Sequence, residues 1–382
     1  MKNKNIIIPI ALFCSAVILL VSCGKQSNGW KGTIEEVDGI TVVKNPREPM
    51  YGKEVFSIEE DLKIGEIEGD ENYMFNVIVY LAVDNEGNIY VADFGEKHIK
   101  AFDANGEFLR VFGRAGQGPG EFGAIRDIHI NAKNELMVTD LRHREILYFS
   151  HDGEFIRSMD LKVIIGGIRG MWSTGSWQLY SDSNENFYIR AAIVDYPRIH
   201  FELYKIDVDK NRLTTIAKTL EWNANEVLNP DRPGLLYCRV MHNGCLLYGY
   251  PRTYKLQIFN PEGKILKKII RDYDPVPLTE EEEAEKEENR KTAGKKTKFP
   301  PVHPAFSYLA VDDEGRIYVR TWERPNSGKG FFFDVFDKEG KYIARIPFNF
   351  RPQELKKGKM YSIEEDEEGY QFVKRYKVNW KY

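Results

Sequence analysis

The feature that most constrains this chain is one hairpin, repeated. Five times the sequence runs an aromatic or aliphatic residue, a small polar residue, two or three turn residues, then Gly or Asn and a short apolar strand. The copies are FDANGEFLRVF from Phe102, FSHDGEFIRSM from Phe149, IDVDKNRLTTI from Ile206, FNPEGKILKKI from Phe259 and FDKEGKYIARI from Phe336. Each reads as a β-hairpin in which Gly or Asn supplies the positive φ that the turn requires. Upstream of each lies a second hairpin: VDNEGNIYVAD at Val83, INAKNELMVTD at Ile130, SDSNENFYIRA at Ser181, MHNGCLLYGY at Met241 and VDDEGRIYVRT at Val311. Two hairpins in succession make one four-stranded antiparallel unit.

Gly106 and Gly153, at the same place in the first two units, are 47 residues apart, within the ~40 to 50 residues of a propeller blade. A four-stranded sheet cannot bury both its faces alone, so such units must stack in a ring. Five complete units leave two stretches over. RPQELKKGKMYSIEEDEEGYQFVKRYKV at the C-terminus supplies three strands, and GTIEEVDGITVVKN near the N-terminus supplies a fourth. The expected fold is therefore all-β: a six-bladed β-propeller of four-stranded antiparallel blades, its last blade closed by both ends of the chain, which removes the exposed sheet edge.

AGQGPGEF, Ala115 to Phe122, alternates three glycines in the manner of a phosphate-cradling loop. A P-loop needs Gly-Lys-Ser/Thr at its end, and here Glu121 and Phe122 follow the last glycine. A dinucleotide fingerprint needs a helix after the glycines, and AIRDIHINAKNELMVTD reads instead as two strands about a turn. The loop is a joint, letting the chain pass from the outer strand of one blade to the inner strand of the next.

The first thirty residues carry an address. Lys2 and Lys4 precede an apolar run from Ile6 to Val21, as in a secretory signal, and the run is short of the ~20 apolar residues of a membrane span. LVSC, Leu20 to Cys23, resembles the lipobox of bacterial lipoproteins, which implies cleavage before Cys23, acylation of its thiol and stable membrane attachment through several acyl chains. On that resemblance, residues 1–22 are a lipoprotein signal peptide, 23–29 a lipidated tether and 30–382 the propeller. Gly24, where Asp is absent, favours the outer membrane, and the lack of an acidic run after Cys23 favours the periplasmic side over the cell surface. A formal net charge of −4 argues against nucleic acid as a partner.

Two cysteines remain in the mature part. If Asn243-Gly244 is a two-residue turn, His242 faces Cys245 and Cys238 lies four residues away, roughly 13 Å at ~3.3 Å per residue. A disulfide needs Cα atoms within about 7 Å, so two free thiols are expected.

With the repeat on the page, the chain resembles the six-bladed β-propeller lipoproteins related to the NHL-repeat family. The marks of the resemblance are VDNEGNIYVAD at Val83, the FDxxG turns and GQGPGEF, and it runs from about Trp30 to Tyr382; it departs at Glu185 and Asn211, where glycine is usual. Enzymes on this fold include amidating lyases with histidines about a central metal and lactonases with a Glu/Asn/Asp cluster. Of the seven histidines only His129 falls on an inner strand, where it reads as a hydrogen-bonded channel residue. One histidine does not make a zinc site, and no catalytic residue, cofactor or metal ligand is assigned.

The strand order places the tight turns on one face of the ring and the long loops on the other, where binding residues concentrate. Aligning the second strands puts Ala92, Thr139, Arg190, Gly249, Arg320 and Ile363 at equivalent positions near the central mouth. Arg190 and Arg320, with Trp322, Tyr196, Tyr250 and Arg252 in adjacent loops, make a candidate rim for a sugar ring, an acidic glycan or a peptide carboxylate; the same residues also suit packing between blades. The segment 272–304 is a charged insertion whose helix starts at the Thr279/Glu282 capping box, reading as a solvated lid or spacer. The expected function is a lipid-anchored envelope scaffold that binds a glycan, a peptide or an envelope protein. The alternative is a metal-dependent lyase or hydrolase of the amidating-lyase or lactonase type.

Overall fold

A computed structural model describes residues 29–162, 166–168, 177–181, 185–195, 198–208, 210, 212–218, 222–223, 237–292 and 300–382. The signal, Cys23, Tyr196 and Asn211 lie outside them. The six four-stranded antiparallel units follow in chain order around an axis. Blade 1 consists of Ile78–Val83, Ile89–Asp93, His98–Phe102 and Phe108–Phe112; blade 2 of Ile125–Ile130, Leu136–Asp140, Glu145–Phe149 and Phe155–Asp160. Blade 3 is Trp177–Ser181, Phe187–Asp195, Arg198–Asp207 and Arg212–Lys218; blade 4 is Tyr237–Val240, Leu246–Gly249, Lys255–Phe259 and Ile265–Arg271; blade 5 is Tyr308–Val311, Ile317–Arg320, Phe331–Phe336 and Tyr342–Phe348.

Blade 6 combines Pro352–Lys356, Lys359–Glu365 and Gln371–Trp380 with Phe56–Ile64 as its outer strand. Both ends of the chain thus close the ring, but GTIEEVDGITVVKN is not the closing strand. It folds as its own hairpin, Thr33–Val37 and Ile40–Asn45, turning at Asp38 (φ 53°) and Gly39 (φ 73°), and lies parallel against the outer strand of blade 4. FSIEEDLKI alternates over nine residues and matches the ten-residue length of Gln371–Trp380, whereas each arm of the hairpin is only five or six residues long. Asn45 fixes the hairpin in place: its amide donates to Gly340 O at 2.9 Å and accepts from Tyr342 N at 2.7 Å.

The turns follow one chemical recipe. In Asp103–Glu107 the side chain of Asp103 accepts from Asn105 N (2.8 Å) and Glu107 N (2.9 Å), while Gly106 N donates to Asp103 O at 3.0 Å. The same pattern recurs at Asp84, Asp337 and Asp366. Asn134 and Glu185 take φ of 62° and 60° where other copies carry glycine. In blade 4 Met241, not His242, faces Cys245, because the loop holds three residues with Gly244 at φ 76°. Cys238 and Cys245 are free and buried, and burial pushes the Cys238 thiol up to about 12.

Apolar faces meet between blades. Each of the six interfaces, from blade 1 against 2 round to blade 6 against 1, has its own buried cluster. In the AGQGPGEF joint, Arg114–Ala115 pairs in parallel with Glu121–Phe122, and Phe122 is buried between blades 1 and 2. A Cβ on Gly113 would lie 2.1 Å from the Phe122 ring, so the close approach demands glycine there.

The insertion helix, Glu280–Thr292, begins as the sequence predicts: Thr279 N donates to Glu282 Oε2 (2.9 Å) and Glu282 N to Thr279 Oγ1 (3.2 Å). Contrary to expectation, it is not fully solvated. Lys286 is buried, Pro277 and Val302 bridge the base of the segment, and His303 joins Glu282 at 3.0 Å.

Candidate functional site

The site is built from the inner strands. A cavity of about 290 Å³ runs along the axis, and every blade contributes to its wall. Toward the end where blades join, the wall carries Arg126 and Arg351; toward the turn end it carries Asp312 and Asp313. Between them lie Asp127 and His129 of blade 2, Arg239 of blade 4, Tyr308 of blade 5 and Glu354 of blade 6.

Strand pairing explains why these residues reach the axis. The last pair before each turn is Val83↔Ile89 in blade 1, Ile130↔Leu136 in blade 2, Val240↔Leu246 in blade 4 and Val311↔Ile317 in blade 5. Counting back one residue from each brings Ala82, His129, Arg239 and Ala310 to one level. Two residues further back lie Tyr80, Asp127, Tyr237 and Tyr308. Small Ala82 and Ala310 leave the space that the longer side chains border.

Tyr308 is the centre of the basic side. Its ring lies 5.0 Å from the Arg239 guanidinium and 4.2 Å from that of Arg351, and its hydroxyl donates to Pro352 O at 2.5 Å. Arg239 also donates to its neighbour's carbonyl, Cys238 O, at 2.8 Å. Among the described residues, none of Arg126, Arg239 and Arg351 is ion-paired with a carboxylate.

The acidic side is differently made. His129 Nε2 lies 3.2 Å from Asp127 Oδ2. Burial pulls the imidazole down, but the charge and hydrogen bond of Asp127 and the charge of Glu354 outweigh it, and the net shift is upward. Glu354 has neither a hydrogen bond nor an ion pair among the described residues. Burial pushes its carboxyl up to about 7, against the opposing pull of Lys356 and His129. Lys356 is occupied elsewhere, donating to Val83 O at 2.7 Å.

The rim residues expected from the second strands stand one row further out. Arg190, Arg320, Trp322, Tyr250 and Arg252 do not line the cavity; of the six aligned second-strand positions, only Thr139 does. Their cross-strand partners on the inner strands reach it instead: Tyr80 opposite Ala92, Asp127 opposite Thr139, Tyr308 opposite Arg320. Arg320 lies 3.9 Å over the Phe331 ring, and burial together with the charge of Arg351 lowers its pKa. It is therefore next to the cavity's basic side. Arg190 is buried with its guanidinium 4.9 Å over Phe201. Trp322 stacks on His303 at 4.2 Å and edge-on to Phe331, so its face receives the foot of the insertion. Tyr250 packs half-buried between blades 3 and 4, and Arg252 is exposed.

His129 is the channel residue that the sequence predicts. Arg126, Asp127, Arg239, Arg351 and Glu354 were not anticipated. A usable signal was present: IRDIHI, YCRV and PQELK place charges at inner-strand positions where the corresponding strand of blade 1, IVYLAV, has none.

Asp127, His129 and Glu354 do not form a metal cage, since their ligand atoms do not all come within 4.8 Å of one another. Among the described residues Asp140, His143 and Glu145 do meet that limit. Asp140, however, already accepts from the backbone N–H groups of Gly123, Ala124, Arg142 and His143 and lies 2.9 Å from His143 Nδ1. It holds the blade joint, as Asp93 does by accepting from Asn76, Val77, Gly95 and Glu96.

A family model described as a 6-bladed beta-propeller matches residues 67–219, which span blades 1 to 3. No curated protein matches the chain. Among solved structures, a putative exported protein from Bacteroides fragilis is similar at 11% identity, with 90% of this chain and 100% of that one covered and a TM-score of 0.55. A member of the DUF4221 family from Bacteroides vulgatus gives 10%, 86%, 100% and 0.49, and a streptogramin B lyase 10%, 87%, 100% and 0.45. At these identities the likeness is one of fold.

Proposed function

We propose that the chain is a lipid-anchored propeller of the bacterial envelope that binds an anionic ligand, the carboxylate of an acidic glycan or of a peptide, in its axial cavity. One observation carries the reading: Arg126, Arg239 and Arg351, from blades 2, 4 and 6, border a single cavity without a carboxylate partner among the described residues. Arg351 is exposed and Arg126 and Arg239 are half-buried, so all three are open to a ligand, and guanidinium groups suit planar carboxylates. Tyr80, half-buried in the same wall, offers a flat face for a sugar ring. Arg320 stands beside this basic side and adds its charge to that of Arg351.

The envelope location is supported by LVSC at Leu20–Cys23 and by the exported character ascribed to the Bacteroides fragilis relative. Palmitate labelling should mark the wild type and not Cys23→Ser; an unlabelled wild type would remove the anchor. The binding reading is tested by calorimetry with D-glucuronate against D-glucose. Saturable binding of the first alone is expected, and equal behaviour of the two would overturn the reading.

A second reading, an acid–base lyase or hydrolase, is favoured by the presence of Asp127, His129 and Glu354 in the same cavity, because a carboxyl near neutrality beside an oriented imidazole is a general acid–base pair. Release of new products from an oligoglucuronide by the wild type, lost in His129→Gln, would establish it.

A further inference from the structure

We infer that Glu354 is itself a binding residue of the axial cavity, that it carries a proton when the anion is bound, and that anion and proton therefore enter together. The inference rests on the anion-binding reading and deepens it.

The geometry presents a mismatch. Among the described residues, a carboxyl without hydrogen bond or ion pair shares one cavity with three guanidinium groups that are also without a carboxylate partner. Had Glu354 been placed to neutralise an arginine, it would lie in contact with one, as Asp334 does with Arg271 at 3.1 Å. An anion seated on Arg239 and Arg351 brings a second negative charge into the space that Glu354 faces. Two carboxylates sharing a small, partly dry volume cannot both stay ionised cheaply. Protonated Glu354 removes the repulsion and becomes a donor, its O–H pointing to a carboxylate or hydroxyl oxygen of the ligand.

The surroundings of Glu354 favour this state. From blade 2 it faces Asp127 and His129, with Arg126 at the joint end; from blade 4 Arg239; from the turn of blade 5 Asp313; from its own strand Lys356, and just before that strand Arg351. Among the described residues, blades 1 and 3 contribute Tyr80 and Tyr180 to this wall as titratable groups, and Asp312 and His242 line it from blades 5 and 4. Of the cations, Lys356 is engaged by the Val83 carbonyl, and the arginines are the proposed ligand contacts. Burial already holds the carboxyl near neutrality at about 7 in the free protein. The nearby anion pushes it further in the same direction, and the negative charge of Asp127 adds to the effect, while His129 and Lys356 oppose it.

The sign is definite. Glu354 is easily protonated at and below about pH 7, so binding is strongest on the acid side and weakens as pH rises. With one proton taken up per anion, affinity falls about tenfold per pH unit well above the free carboxyl's pKa. A ligand with hydroxyl groups next to its carboxylate, as in a sugar acid, answers both the guanidinium groups and the Glu354 O–H. A neutral sugar answers only the second.

The test has two arms. In the first, 13C NMR follows the glutamate side-chain carboxyl carbons against pH in wild type and in Glu354→Gln, with no ligand present. One carboxyl signal with its inflection near pH 7, lost in Glu354→Gln, is expected; its absence from the wild type overturns the inference whatever binds. In the second, D-glucuronate is titrated calorimetrically at pH 7.5 in two buffers of different ionisation enthalpy. Uptake of more than half a proton is expected in the wild type, since a carboxyl titrating at about 7 is already roughly one-quarter protonated at pH 7.5, and none in Glu354→Gln, whose affinity should also become nearly flat with pH. Glucuronate binding without proton uptake overturns the coupling and leaves the anion site standing. No glucuronate binding, with the Glu354 carboxyl inflection retained, overturns the anion site and the coupling with it.

Discussion

Two regions of this propeller use the same side chains for opposite ends. In the blades, carboxylates are saturated. Asp140 takes four backbone N–H groups, Asp93 another four, and Asp334 accepts from the hydroxyls of Tyr254 and Tyr342 at 2.7 Å while meeting Arg271 at 3.1 Å. All three are fully or almost fully buried. Along the axis, among the described residues, the Glu354 carboxyl has no such partner and the arginines around it have no carboxylate. A buried charge is tolerable when its neighbours satisfy it. Saturated charge is therefore architecture, whereas unsatisfied charge bordering a cavity is capacity for something that arrives from outside.

Substitutions can break that contrast, and the largest effect should come from the most saturated group. Asp334→Ala leaves Arg271, only 4% exposed in its side chain, without its counter-charge, and two buried hydroxyls without an acceptor. A loss of ~3–5 kcal/mol is expected, read by denaturant unfolding, with glucuronate affinity of the folded fraction unchanged. A loss below 1 kcal/mol would mean that the network does not hold blades 4 and 5 together.

Asp140→Ala should cost slightly less, about 3 kcal/mol, since it strands N–H groups and no full charge. Hydrogen exchange should localise the damage to Gly123–Arg142. Added Zn²⁺ should neither bind nor stabilise the wild type, because the Asp140 oxygens it would need already accept from N–H donors. Metal-dependent stabilisation of the wild type would instead make Asp140, His143 and Glu145 a true cation site.

At the axis the pattern should reverse. Arg239→Ala is expected to weaken glucuronate binding roughly tenfold or more, the ~1.5–3 kcal/mol of a charged hydrogen bond, and to change stability by less than ~1 kcal/mol. Comparable losses in both quantities would erase the distinction between the regions. The smallest effects belong to the second row. Arg320→Ala acts on the ligand only through its neighbour Arg351 and should reduce affinity by about two- to threefold, a long-range charge effect. Arg190→Ala should leave affinity alone and lower stability, given its burial against Phe201. A tenfold affinity loss in either would move the site outward, to the rim suggested by the second strands.

Much of the fold was legible in local chemistry. The D-x-x-G turns, the alternation of the strands, the glycine-rich joint and the Thr279/Glu282 cap are each decided within a few residues, and each forms as read. The closing strand was misplaced because GTIEEVDGITVVKN and FSIEEDLKI both alternate and both suit a sheet edge. Which edge each takes depends on the blade waiting there, blade 4 for one and blade 6 for the other. The expected rim residues stand one strand outside the axial cavity for a related reason. Strand parity shows which residues share a face, but the distance of that face from the axis emerges only when six blades are assembled.

The sequence by itself determined the repeat, its hairpins, the number of blades and the use of both chain ends to close the ring, because turn chemistry and two-residue periodicity act over short range. Tertiary structure alone decided which charges would be left without partners. Asp127, Arg239 and Glu354 come from three blades far apart in the chain, and nothing local to any of them says that they share one cavity. Local sequence sets which groups are charged; closure of the ring sets which of those charges face each other across water.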